Sequence, residues 1–163
     1  MKYNLLVSLF LFVLLTFNVF AAGSSDSGSS KTKTQYDMAV SLINAAKKFE
    51  QDDKLKKAKK RYEKAQKLLI QSNEKFPNKA DTLNYLGFTT RKLGDYENGE
   101  KYYLQGLMID PNHKGINEYL GELYVATNRH NLAVERLEVL KDCKCKEYED
   151  LKAIISGEKV SKY

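Results

Sequence analysis

Tryptophan is absent from the chain, and proline occurs only twice, at Pro77 and Pro111. So little proline leaves long stretches with nothing to interrupt a helix. With abundant Lys, Glu, Leu and Tyr, this favours an all-helical chain. Catalytic signatures are missing as well: there is no HExxH, no glycine-rich phosphate loop and no nucleophile motif, which argues against an enzyme. The two histidines, His113 and His130, have no cysteines at a spacing that suits zinc, so no metal or other cofactor is expected. At 163 residues the chain has room for one domain with a real core, not for two large ones. Acidic residues are outnumbered, giving a formal net charge of +6. The segment from Lys47 to Lys67 alone holds ten basic and four acidic residues, which accounts for the whole excess. Charges balance elsewhere, which argues against nucleic acid as a partner.

What is present is a pattern that recurs every 34 residues. Tyr85-Leu86-Gly87 lines up with Tyr119-Leu120-Gly121, Pro77-Asn78 with Pro111-Asn112, and Tyr62 with Tyr96. Three coincidences at one period identify a helix–turn–helix repeat. In the central unit, Leu83, Leu86 and Thr90 recur at helical spacing over a first helix from about Asp81 to Leu93. Gly87 permits close approach of a partner helix, and Gly94-Asp95 breaks the chain at a tight turn. A second helix from Tyr96 carries Gly99, Tyr103, Gly106 and Leu107 on one stripe, and Pro111 ends it.

These residues resemble a tetratricopeptide repeat, with Thr90 standing where the family has a larger aromatic and Gly99 where it has alanine. The resemblance implies an all-α, right-handed solenoid of three helix hairpins plus a C-terminal capping helix, over residues 35–157. The units are a degenerate repeat at 35–79, repeats at 80–113 and 114–146, and the cap at 147–157. In the degenerate unit, Thr34 and Asp37 resemble a capping box, Gln51-Asp52-Asp53 is the turn, and Tyr62, Ala65, Leu69 and Pro77 keep the register. Asp52-Asp53 replaces the Leu-Gly pair of the first helix. In the third repeat Thr127-Asn128 replaces the turn glycine, and Asn tolerates the left-handed conformation. The last helix, Glu147 to Ser156, has Tyr148, Leu151 and Ile155 on one side, as a solenoid's end cap requires.

Ahead of the repeats, an apolar run from Leu5 to Phe20 follows one lysine and ends at small residues Ala21-Ala22-Gly23. This is read as a secretory signal peptide, residues 1–21, which places the protein in the periplasm or outside the cell. The competing reading is an uncleaved membrane anchor, since a span needs about 20 apolar residues. Ser8, Thr16 and Asn18 interrupt the run, and no cysteine stands near the cut to carry a lipid. Residues 22–34 are a Ser/Gly-rich linker expected to be disordered.

The main candidate site is the concave groove built by the first helix of each pair. Asp81, Asn84, Phe88 and Arg91 form a stripe apart from the core stripe, matched one repeat later by Gly115, Glu118, Glu122 and Val125. The resemblance implies that these positions contact peptides; the alternative is solvated helix faces with Phe88 packed on a neighbour. The family's carboxylate clamp uses Lys, Arg and Asn, and only Asn84 fits it. Glu118 and Glu122 would repel a carboxylate, so a basic or mixed peptide suits the groove better.

Two further features compete with the groove. The basic helix from Lys54 to Lys67 is either a solvated face or an attraction for an acidic partner or anionic membrane. Cys143 and Cys145 form a local disulfide, a redox or intermolecular pair, or a soft-metal site. The expected function is that of an exported, non-enzymatic adaptor or scaffold binding a protein or peptide partner in the cell envelope. The rival is a redox or metal-handling envelope protein working through Cys143 and Cys145.

Overall fold

A computed structural model of the chain describes residues 33–160. The expected signal peptide and nearly all of the expected linker lie outside them. Seven helices follow one another: α1 (Gln35–Gln51), α2 (Leu55–Lys75), α3 (Ala80–Lys92), α4 (Tyr96–Ile109), α5 (Lys114–Ala126), α6 (His130–Leu140) and α7 (Lys146–Ile155). No strand occurs among the described residues. The helices pair as α1–α2, α3–α4 and α5–α6, each pair stacks on the next, and α7 closes the array against α5 and α6. The fold is a solenoid of helical hairpins, and no described helix is long and apolar enough to cross a membrane.

Local chemistry sets where each helix starts and stops. The Thr34 hydroxyl accepts from the Asp37 N–H while the Asp37 carboxylate accepts from the Thr34 N–H, a complete capping box on α1. Asp95 caps α4 through the Asn98 N–H, and the His113 Nδ1 caps α5 through the Ile116 N–H. Each hairpin turn needs one residue in the left-handed region: Asp53 (φ 56°), Gly94 (φ 97°) and Asn128 (φ 59°). Asp and Asn tolerate that conformation better than other side chains, so two of the three turns close without glycine.

Packing follows from small residues set against large ones. A Cβ on Gly87 would sit 2.5 Å from the ring of Tyr103, which is fully buried, and one on Gly121 would sit 2.6 Å from Leu151. The equivalent glycines thus receive large side chains from different helices, α4 in one case and the cap α7 in the other. Ala39, Ile43, Ala46, Tyr62, Ala65, Leu69, Leu83, Leu86 and Phe88 form one core, and Tyr103, Ile116, Leu120, Leu123, Tyr124 and Ala133 form a second. Polar ties join the layers. Gln66 donates to the Thr90 hydroxyl (2.8 Å), and the Asn117 amide donates to the carbonyls of Pro111 and His113. Arg129 grips Glu100 through two bonds of 2.9 and 2.7 Å.

Some details depart from the sequence reading. Leu55, the first residue of α2 and apolar, is exposed and takes no part in the buried stripe of that helix. The cap α7 buries Leu151 and Ile154, while Tyr148 and Ile155 are only partly covered.

Gly87→Ala should destabilise the fold by about 1–2 kcal/mol. The added methyl overpacks the Tyr103 ring by more than the roughly 1 kcal/mol that alanine gains over glycine in a helix. Urea denaturation of the two proteins reads this directly, and unchanged stability would mean that the helices are not packed this closely.

Candidate functional site

The first helices α1, α3 and α5, together with α7, surround one cleft of about 560 Å³, and the second helices of the hairpins line none of it. That volume is in the usual range of roughly 300–1,000 Å³ for ligand sites. The sequence expects an open stripe on α3, but Asn84, Phe88 and Arg91 are only 6%, 5% and 3% exposed. The physical reason is position: α3 is the central helix, packed on α1, α2, α4 and α5, so its second stripe is covered as fully as its first. Phe88 belongs to the core, with ring centroids 5.7 Å from Tyr62 and 5.0 Å from Tyr119. The alternative of a Phe88 packed on its neighbours is what the structure shows. Val125 is half-buried against the second core and does not line the cleft. Asp81 stands exposed at the edge of an adjoining hollow.

Arg91 forms the floor. Its guanidinium lies 5.5 Å from the centroids of both Phe88 and Tyr119. It donates to the Tyr119 carbonyl at 2.8 Å and to the Glu122 carboxylate at 3.1 Å. Residues that sequence reasoning did not single out complete the cleft. Lys47 lies 4.7 Å over the Phe88 ring and donates to the Tyr119 hydroxyl at 3.1 Å. Lys92 pairs with Glu50 at 2.7 Å, and Glu50 also accepts from the Tyr62 hydroxyl at 3.0 Å. On the α7 side, Lys146 and Lys159 both pair with Asp150. Burial works to raise the Asp150 carboxyl, but the two ammonium groups outweigh it and hold it below the usual carboxylate range. Tyr119 was visible only as a repeat residue; Lys47 and the α7 side chains come from helices without a clear repeat register.

Glu118 is the exception to this pairing. It is 8% exposed and lines both the cleft and the hollow next to it. Burial, followed by the negative fields of Glu122, Asp150 and Glu147, pushes its carboxyl up to about 8, with Lys47 acting in the opposite direction. In the hollow, the missing side chain of Gly115 leaves room for the Asn84 amide, since a Cβ there would lie 2.9 Å from Asn84 Nδ2. His113 uses Nε2 to meet the Asp81 carboxylate at 3.1 Å, its Nδ1 already accepting the α5 cap bond.

The remaining candidates lie away from the cleft. Cys143 and Cys145 are joined as a disulfide in the turn between α6 and α7, with Lys144 between them at φ 46°. Both sulfurs are used in that bond, and among the described residues no group of three or more His, Cys, Asp or Glu is placed to hold a metal ion. On α2, Ala58, Tyr62, Ala65 and Leu69 are buried, and Lys56, Lys60, Lys64 and Lys67 face outward from the opposite side of the helix.

Comparison with known proteins agrees with this architecture. The tetratricopeptide repeat family model matches residues 80–113, the unit of α3 and α4. No curated protein matches the chain. Among solved structures, the type III secretion translocator chaperone SycD of Yersinia enterocolitica, crystallised as an alternative dimer, shares the fold with a TM-score of 0.53. It is 18% identical over 74% of this chain and 88% of that chain.

The raised carboxyl of Glu118 makes a testable statement about stability. Its ordinary value is 4.5 and its folded value about 8, so the folded state binds the proton more tightly. Stability should therefore fall as pH rises from about 5 to 8. Glu118→Gln should flatten that slope and melt higher than the parent at pH 9. Parallel pH slopes for the two proteins in thermal melts would show that Glu118 is not buried among like charges.

Proposed function

We infer the function from what the chain is, a tetratricopeptide repeat protein, and propose that it is an exported adaptor or scaffold that binds a protein segment in its concave cleft. The observation that carries this reading is the cleft itself. One continuous concavity is lined by every first helix and by the cap, and its floor is held rigid by Arg91, Tyr119 and Phe88. A solenoid without catalytic parts offers a shaped surface, and its curvature supplies one on the inner side. SycD is a type III secretion translocator chaperone, and the shared fold supports a role in holding other proteins.

The burial found on α3 changes which residues can meet a partner. Phe88 and Arg91 shape the floor from below, and contact falls to the groups at the rim. These are Glu147 and Lys146 on α7, and Lys47 and Glu122 where they reach the cleft. Both signs of charge are present along the rim, so a segment of mixed or basic character fits better than an acidic one. A photo-reactive amino acid at Lys146, which is well exposed and lines the cleft, should crosslink a partner protein in producing cells. The same group at Lys56 on the outer side of α2 should not. Crosslinks from Lys56 alone, or equally from both, would remove the cleft as the binding surface.

Export is supported by the signal-like residues 1–21 and by the Cys143–Cys145 disulfide, because such bonds persist in oxidising compartments. N-terminal sequencing of the protein recovered from cells should begin at Ala22. An intact Met1 would instead favour the membrane-anchored form.

A further inference from the structure

We propose that the hollow between α3, α5 and α7, where Asn84, Glu118 and Glu147 meet, is a subsite for the basic side chain of a bound peptide, arginine above all. The proposal rests on the reading of the cleft as a peptide site and names the chemistry recognised there.

Two acceptors point to it independently. Glu118 is more than nine-tenths buried as a residue, and its carboxylate, which opens on the hollow, has no hydrogen bond or ion pair among the described residues. The Asn84 side-chain oxygen is likewise buried and without a partner. The 34-residue repeat puts these two residues at the same position on successive first helices, and both line the one hollow. A buried acceptor left unmet is destabilising, so a donor group that meets Asn84 and the unpaired Glu118 carboxylate together is favoured.

Charge decides the kind of group. Of the cations near Glu118, three are engaged by other groups, and Lys114, one turn earlier on α5, stands exposed at the edge of the hollow. Lys47 on α1 is engaged by the Tyr119 hydroxyl, Arg91 on α3 by Glu122, and Lys146 on α7 by Asp150. Glu147, at the start of α7, adds a further negative field and has no ion pair among the described residues. The hollow sets the carboxylates of Asp81, Asp110, Glu118 and Glu147 against Lys114 and a His113 whose two ring nitrogens are already used, so negative charge exceeds positive there. No three of its acidic groups gather closely enough to ligate a metal ion, so the excess calls for a larger organic cation. A guanidinium has five donors spread over a plane and can reach acceptors on two helices; an ammonium offers the same charge at one point.

A cation docked beside Glu118 requires the ionised carboxylate. Because that carboxyl is pushed up to about 8 in the free protein, the affinity should drop about tenfold per pH unit below 8. The probes are acetylated and amidated pentapeptides of alanine with arginine, lysine or citrulline at the centre, titrated into the ¹⁵N-labelled full chain at pH 6 and pH 9. Citrulline keeps the shape of arginine and loses its charge. Arginine should bind at least tenfold more tightly than citrulline at pH 9, with lysine above citrulline, and the advantage should shrink sharply at pH 6. Glu118→Gln, checked by its melt to be folded, should abolish both the preference and its pH dependence. Arginine and citrulline peptides binding alike, or a preference that survives in Glu118→Gln, overturns the subsite. Absence of binding by every peptide also overturns it, while the crosslinking from Lys146 still decides separately whether the cleft holds a partner.

Discussion

The cleft is organised by a guanidinium that barely reaches water. Arg91 is 3% exposed, faces two aromatic rings and donates to both the main chain and the carboxylate of the next first helix. A charge in that position must be matched, because stripping one partner from a buried pair costs about 3–5 kcal/mol. The separation of α3 and α5 is therefore fixed by Arg91 meeting Glu122 and Tyr119. The same logic reaches α1 through Glu50 with Lys92 and through Lys47 with Tyr119. Within the α3–α4 hairpin the contact is apolar and small-on-large; between the first helices aromatic packing is joined by polar, directional bonds.

This division of labour restrains the shape of the cleft. Apolar packing tolerates repacking, and a solenoid held by it alone could flex along its length. Charged groups that share partners across three helices restrict that freedom, since any slip would leave a buried charge unmatched. The cost of the arrangement falls on Glu118. Arg91 and Lys146 are taken by Glu122 and Asp150, and Glu118 is left without an ion pair among Glu122, Glu147 and Asp150. Functional sites commonly retain such locally unfavourable groups, which a partner then relieves.

How much of this was legible in the sequence depends on what each residue does. Leu86-Gly87, Leu120-Gly121 and Pro111 repeat because backbone proximity and helix ends recur in every unit, and the hairpins could be read from them. The turns were readable too, since Gly94 and Asn128 stand at equivalent places and both take positive φ. The cleft was legible only in part. Asn84, Glu118 and Glu122 were found by their helical stripe, but a stripe does not reveal how many neighbours a helix has. Phe88 looked free for that reason, and the central place of α3 put it inside. Lys47 and Lys146 escaped because α2 runs to 21 residues and lengthens the first hairpin, and because α7 has no second helix, so neither helix shares the register of the central repeat.

The charge distribution carries the last step. The net charge of +6 would suggest a molecule that attracts anions everywhere. Yet much of its excess lies on the outer side of α2, while in the cleft basic and acidic side chains balance and most are paired, leaving Glu118 and Glu147 without ion pairs among the described residues. Exposed charges more than about 8–10 Å apart are largely screened at physiological salt, whereas buried ones are screened far less. The outer lysines thus act on what approaches from bulk solvent, and the cleft responds to its own few buried groups. A basic segment can be accepted inside by a protein that is itself basic, because the field that selects it is local.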